Sequence, residues 1–235
     1  MKRSPSHTSE QTSQLIFGEC YKILKTNDEW VLVHSSHDYY EGWILKTQLK
    51  EIAVGDYEYL NRNHWERCSE LLGKSYQNGY VYHPIPLGAR LVDWGGFSYK
   101  CKRTVASKIH HKRHFLLRCA RKFLNAPYQW GGRSVFGIDC AGLTQLCFAM
   151  LGIYLPRNSK DQSQKGRKID FEQADRGDLA FFGSPKSINH VGILLAHNKI
   201  IHCSGQVRID KINAKGIFKD GIQTHKLVAL KRLLD

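Results

Sequence analysis

Phe136-Gly137-Ile138-Asp139-Cys140-Ala141-Gly142-Leu143-Thr144-Gln145-Leu146-Cys147-Phe148 is the stretch on which the reading of this chain turns. Asp139 has the side chain to cap a helix, since its carboxylate can accept from the unpaired backbone N–H groups of the first turn. Cys140, Leu143, Thr144, Cys147, Phe148 and Leu151 then recur at three- and four-residue steps, the signature of an amphipathic helix with one inner face. Gly152 can end it. A thiol at the first turn faces the positive end of the helix dipole, which favours thiolate.

Downstream, His190-Val191-Gly192-Ile193-Leu194-Leu195 and Lys199-Ile200-Ile201-His202 read as two apolar strands joined by Ala196-His197-Asn198, a hairpin-like turn. Adjacent antiparallel strands place His190 and His202 near one end. The set Cys140, His190 and His202 then has the order a thiol hydrolase needs: nucleophile, base and orienting partner. The backbone N–H of Cys140 is a natural oxyanion donor. Taken singly, each residue has a plain structural alternative, a buried thiol or a satisfied imidazole, so spacing alone leaves the triad open.

The surrounding pattern gives the architecture. Phe115, Leu116, Cys119, Ala120, Phe123 and Leu124 mark a second helix that stops before Pro127. Trp130-Gly131-Gly132 is a turn, and 157–170 reads as a polar loop. Strands are expected at Asp178–Phe182, His190–Ala196, Lys199–His202, Val207–Asp210 and Lys226–Lys231. Helices followed by sheet point to α+β. The first 50 or so residues differ. Leu15–Phe17, Tyr21–Leu24, Trp30–Val33 and Gly42–Leu45 suggest short strands of a small barrel. Tyr57 to Leu72 has mixed helical spacing, and Tyr80 to Val92 reads as extended. The expected units are 1–52, a linker or degenerate second barrel at 53–108, and a catalytic domain at 109–235.

Composition narrows the class. The chain has 235 residues, a formal charge of +14 and seven cysteines. No apolar run approaches the ~18–20 residues of a membrane-spanning helix. The odd cysteine count, the lack of CxxC and the absence of a secretory signal favour reduced thiols and the cytoplasm, with export to the periplasm or wall as the alternative. Lys100 to Lys122 holds nine Lys/Arg, three His and no acid. It reads as a solvated surface or as a weak polyanion patch. No nucleic-acid motif is present. His110, His111 and His114 lack a Cys or acid to complete a ligand set. Neither metal nor cofactor is expected.

At these residues the chain resembles the NlpC/P60 cysteine peptidases. Ala126-Pro127-Tyr128-Gln129-Trp130-Gly131-Gly132, Phe136 to Leu143, Leu155-Pro156-Arg157, Gly177-Asp178-Leu179 with Phe181-Phe182, His190–Ile193 and Ile201-His202 carry the resemblance over about 110–235. It implies a pared-down papain-like α+β domain, with Cys140 as nucleophile, His190 as base and His202 as the orienting residue. It also implies cleavage of cell-wall peptides between γ-D-glutamate and diaminopimelate or lysine. Ser4 to Glu10, Phe17-Gly18-Glu19, Trp30-Val31 and Tyr40 to Ile44 resemble a bacterial SH3 domain, one that usually starts a strand earlier.

In relatives of that arrangement an acid and a tyrosine of the barrel, plus an Asp-Ser pair, read a free N-terminal L-alanine. Glu10, Tyr40, Asn158 and Ser159 stand at those positions here, with Trp130 and Asp139 as further substrate-contacting candidates. Asn158 removes one carboxylate, and Ala141 replaces the usual Ser after the nucleophile. Peptidoglycan or a muropeptide is the expected partner. Two other readings are a papain-like amidase or acyltransferase acting at a membrane surface, and a non-catalytic wall-binding protein.

Overall fold

The computed structural model describes residues 1–62 and 66–234. The N-terminal sheet is a meander of β1 (Tyr21–Thr26), β2 (Trp30–Ser35) and β3 (Glu41–Leu45), all antiparallel. Asn27 closes the first turn by accepting from the Trp30 N–H with its side chain. Val31, Val33 and Ile44 form its small core with Met1, Leu15 and Leu49 packed on them. Lys2 exchanges both backbone hydrogen bonds with Trp43, extending the β3 edge.

Leu15–Phe17 is not a strand, contrary to expectation. The Ile16 N–H is taken by the Glu19 carboxylate at 3.0 Å, and Gly18 turns the chain at φ +81°. The backbone is thus committed to a turn before any ladder can form.

The middle segment has helix α1 (Val54–Arg62) followed by β4 (Arg67–Cys68), β5 (Leu72–Gln77), β6 (Tyr80–Pro86), β7 (Phe97–Lys100) and β8 (Arg103–Thr104). Part of the expected Tyr57–Leu72 helical spacing, at 63–65, lies outside the described residues. β5 sits between β6 and β7, and β4 pairs β8. Cys68, Ile85, Ala89 and Leu91 form a separate small core.

The remainder carries α2 (Lys112–Lys122), a short ribbon β9 (Arg133–Ser134) and β10 (Gly137–Ile138), then α3 (Cys140–Ala149). α3 departs from the expected amphipathic pattern, because every one of its residues is buried. Its sequence holds no charge, so both faces can pack, one against α2 and the other against the sheet. The polar loop expected at 157–170 instead contains α4 (Ser159–Gln162) and β11 (Arg167–Ile169). Gln162 explains part of that order. Its buried amide donates to the Ala141 and Pro156 carbonyls and accepts from Thr144.

β12 (Leu179–Ser184), β13 (Ser187–Ala196), β14 (Lys199–Ser204), β15 (Gln206–Asn213), β16 (Gly216–Lys219) and β17 (Ile222–Arg232) follow as successive antiparallel neighbours. β17 returns to pair β12 as well as β16, so the six strands close into a ring, with β11 added on β17. Alternation divides the apolar side chains. Leu179, Phe181, Val191, Ile193, Ile201 and Cys203 pack on the helices. Ala180, Phe182, Leu194, Ile200, Ile212 and Ile217 fill the ring.

Candidate active site

Asp139 caps α3 from an extended backbone, its Oδ1 accepting from the Gly142 N–H at 2.7 Å. The same carboxylate accepts from the Gly131 N–H at 2.8 Å and is held by both Arg157 Nη atoms, at 3.0 and 2.5 Å. All of these groups are buried. Asp139 therefore fixes the helix start and the Trp130–Gly131 turn, and its oxygens are committed to protein partners. Arg157 in turn donates from Nε to Ser13 Oγ at 3.2 Å.

Cys140 is the first helical residue, only 6% exposed. The backbone amides of Val191 and Ala141 stand close to the sulfur, so the thiol lies against β13 one residue from His190. Burial, followed by the neighbouring Asp139 charge, pushes its pKa up to about 12, although these amides and Arg157 pull the other way. The expected advantage of a helix N-terminus is thus outweighed. A thiol taken out of water loses more in ionisation than two amides return.

His190 and His202 meet in the ring. Gly192 is opposite His202 in the β13–β14 register, which makes His190 the diagonal neighbour. His190 Nε2 and His202 Nδ1 are 2.9 Å apart. Burial, then the His202, His225 and Arg208 charges, holds His190 well below the usual imidazole range. Burial likewise lowers His202 to about 4 against the pull of Asp210. Both rings are therefore neutral near pH 7. With Nε2 engaged, Nδ1 is the His190 nitrogen left for a thiol proton.

Gly192 is the glycine this packing needs. A Cβ there would come within 2.7 Å of Ile200 Cδ1 and 2.9 Å of His202 Cβ.

The substrate-contacting candidates divide. Trp130 is 53% exposed, and its carbonyl accepts from Gln11 Nε2 at 3.2 Å. The backbone of Gln11 lies over Gly131, where a Cβ would sit 2.7 Å from the Gln11 carbonyl oxygen. Glu10 is therefore near the same turn, with its carboxylate paired to Arg3 at 2.8 Å. Tyr40 is half-buried in the turn before β3. That turn is tied to α3 because Asp38 accepts from Gln145 Nε2 at 2.8 Å. Asn158 is exposed at the start of α4 and makes no capping bond, and Ser159 is buried.

Three residues escaped sequence reasoning. Asp210 on β15 accepts from His202 Nε2 at 2.9 Å and from Arg208 Nε at 2.8 Å. His225 on β17 stacks on His190 with centroids 4.2 Å apart and planes 25° from parallel. Tyr128 stands near Cys140 and Asp139, and burial is the main cause that pushes its phenol up to about 12. The alternation of β15 could have put Asp210 on the His202 face, but nothing in sequence marks β17 as the strand that closes the ring on β12 and β16.

Comparison with known proteins fits this geometry. Residues 125–226 match the NlpC/P60 family, and residues 1–49 match the bacterial dipeptidyl-peptidase Sh3 domain. A Bacillus cereus protein named gamma-D-glutamyl-L-lysine dipeptidyl-peptidase is 34% identical over 92% of this chain and 74% of its own. The chain belongs to the NlpC/P60 family. A Bacillus subtilis relative of the same name is 26% identical over 81% of this chain and 71% of that one. A crystal structure of an NlpC/P60 family protein from Bacillus cereus superposes with TM-score 0.76 at 22% identity, covering 95% of this chain and 82% of that one. As an NlpC/P60 protein with an N-terminal SH3-like region, the chain has the α+β class its sequence suggested.

Proposed function

We propose that this NlpC/P60 protein is a cysteine peptidase that hydrolyses the bond between γ-D-glutamate and the following diamino acid in peptidoglycan peptides. The observation that carries the reading is the hydrogen-bonded His190–His202 pair set beside the Cys140 helix start. The names of the two Bacillus relatives support the substrate class.

The chemistry follows from the resting charges. Thiol and imidazole are both neutral, so the Cys140 proton passes to His190 Nδ1 as sulfur attacks the γ-carbonyl carbon. The tetrahedral oxyanion accepts from the Cys140 N–H, which the first turn leaves unpaired. Collapse breaks the C–N bond, and the leaving amine takes the proton from His190. A water molecule then gives its proton to His190 and attacks the thioester, releasing the γ-carboxyl group and restoring the thiol.

The same proposal extends to substrates with a free N-terminal L-alanine. Support comes from the segment Gln11–Ser13, which packs on the Trp130–Gly131 turn and on Arg157 and so walls one side of the site. Glu10 and Tyr40 on the SH3-like side and Asn158 and Ser159 on the other are the residues proposed to receive the amine. Asn158 accepts without charge assistance, which weakens this contact relative to a carboxylate.

Cys140→Ala should lower turnover of L-Ala-γ-D-Glu-diaminopimelate or its lysine counterpart by at least about 10³-fold, read by mass spectrometry. Undiminished turnover would remove Cys140 as the nucleophile. In the same assay the N-acetylated peptide should be a poor substrate for the unaltered protein. Equal rates would refute amine recognition while leaving the nucleophile standing.

A further inference from the structure

The hydrogen bonds behind His190 have a direction, and Asp210 sets it. A neutral imidazole has one donor nitrogen and one acceptor nitrogen, whereas an ionised carboxylate only accepts. Asp210 Oδ2 receives Arg208 Nε at 2.8 Å and His202 Nε2 at 2.9 Å. Burial raises the Asp210 pKa, but the bonds from Arg208 and His202 outweigh it and leave the group below its usual value. The carboxylate is therefore charged at neutral pH, and His202 Nε2 must carry the proton.

His202 Nδ1 is then a bare lone pair. It faces His190 Nε2 at 2.9 Å, so that nitrogen must be the donor. His190 Nδ1 is left without a proton, the form a base requires. With His202 in its other tautomer the chain would run backwards. His202 Nδ1–H would donate to His190 Nε2, and His190 Nδ1 would hold a proton with nothing to accept one.

We propose that Asp210 is a positioning residue that selects the base-competent tautomer of His190 through His202. This rests on the reading of His190 as the base. Arg208 has two parts in the device. It neutralises Asp210, and it also bonds the Ser204 carbonyl, which fixes the carboxylate between two strands. The other groups facing the imidazole pair are His225 from β17, stacked on His190 and edge-on to His202, and the apolar ring of Phe182 from β12. Cys140 comes from α3. None of these offers an ionised acceptor to His202 Nε2, so the direction comes from Asp210.

Asp210→Asn tests this. The amide is nearly the same size but can present either a donor or an acceptor to His202. In an enzyme of a different fold, replacing the acid behind a catalytic histidine by its amide leaves the geometry and costs about 10⁴-fold in kcat. Here the acid acts one imidazole further away, and the expectation is a fall in kcat of about 10- to 10³-fold with KM within twofold.

The decisive readout is the long-range ¹H–¹⁵N spectrum of the imidazoles, which distinguishes Nδ1–H from Nε2–H. In the unaltered protein His190 and His202 should both be Nε2–H, and in Asp210→Asn both should gain Nδ1–H. A His190 found as Nδ1–H in the unaltered protein overturns the proposal whether or not the variant folds. So does a variant whose kcat falls while both tautomers stay as they were. The spectrum is independent of turnover. Correct tautomers in a protein that His190→Ala leaves fully active would refute the base assignment instead.

Discussion

At the scale of single residues, the site is governed by loss of water rather than by helix polarity. Cys140 starts α3, where the dipole should help it ionise, yet burial and Asp139 leave it a thiol. His190 is held neutral by burial and by neighbouring imidazole and guanidinium groups. His225 is one of those neighbours, and its own pKa is lowered by burial and Arg208. Protonated, it disfavours a second cation 4.2 Å away on His190. His225→Phe keeps a ring to stack and removes that charge. The His190 pKa should then rise, and the acid limb of the kcat/KM profile should move to higher pH. A limb that stays put or moves down would show that His225 does not hold the His190 pKa down.

At the scale of elements, the positions that bring β13 and β14 together carry as much information as the functional groups. Gly192→Ala places a methyl against Ile200 and the His202 Cβ. Overpacking of this kind costs about 1–3 kcal/mol, and the displaced ring should lengthen the His190–His202 bond. The expected result is a lower kcat in a protein that still melts cooperatively. Full activity with an unchanged melting temperature would show that the strands absorb the methyl freely.

Legibility followed the same division. α2, α3 and β12 to β14 have strong apolar periodicity and were readable. So was the placement of Cys140 at a helix start and of His190 and His202 on adjacent strands, because it depends on local order along one helix and a hairpin. β16 was not readable, since Gly216–Lys219 is only four residues long, too short to show alternation. Nor were Asp210 and His225 as partners of the site. Asp210 needed the register of the β14–β15 hairpin, and the place of His225 depends on ring closure between β16, β17 and β12, a long-range pairing that no local pattern encodes. α3 was misread in one respect, because a chargeless helix can be buried on all sides while still showing one regular apolar stripe.

At the scale of the whole molecule, a buried ion pair joins the SH3-like part to the peptidase part. Arg133 Nη1 and Nη2 each meet a Glu19 oxygen at 2.8 Å, and both side chains are essentially inaccessible. Burial raises the Glu19 pKa, but Arg133 and His37 overcome it and bring the group down to about 2. Glu19→Ala leaves the buried Arg133 guanidinium with the Gln14 carbonyl but without its carboxylate, a loss of about 3–5 kcal/mol. The double replacement Glu19→Leu with Arg133→Met should recover most of it. A single variant as stable as the unaltered protein would mean that this pair does not hold the two parts together.

Acid should act in two stages. His37 and His202 are buried neutral with pKa values near 4. The unfolded chain binds their protons first, so stability falls as pH drops from about 6.5 to about 4. Glu19 has the opposite chemistry but the same sign. Its contribution is complete above its unfolded pKa of about 4.5 and is lost as pH falls towards about 2. In Glu19→Ala the second stage should be diminished in a plot of melting temperature against pH. The first should remain.

The closure of the ring by β17 has a consequence for synthesis. Chains emerge from the ribosome N-terminus first. Cys140, His190, His202 and Asp210 are all made before Ile222–Arg232, the strand that seals β12 to β16 and brings His225 onto His190. Until that strand arrives, β12 has one bare edge and the imidazoles lack their enclosing wall. The imidazole pair is therefore enclosed only once Ile222–Arg232 has been made and paired.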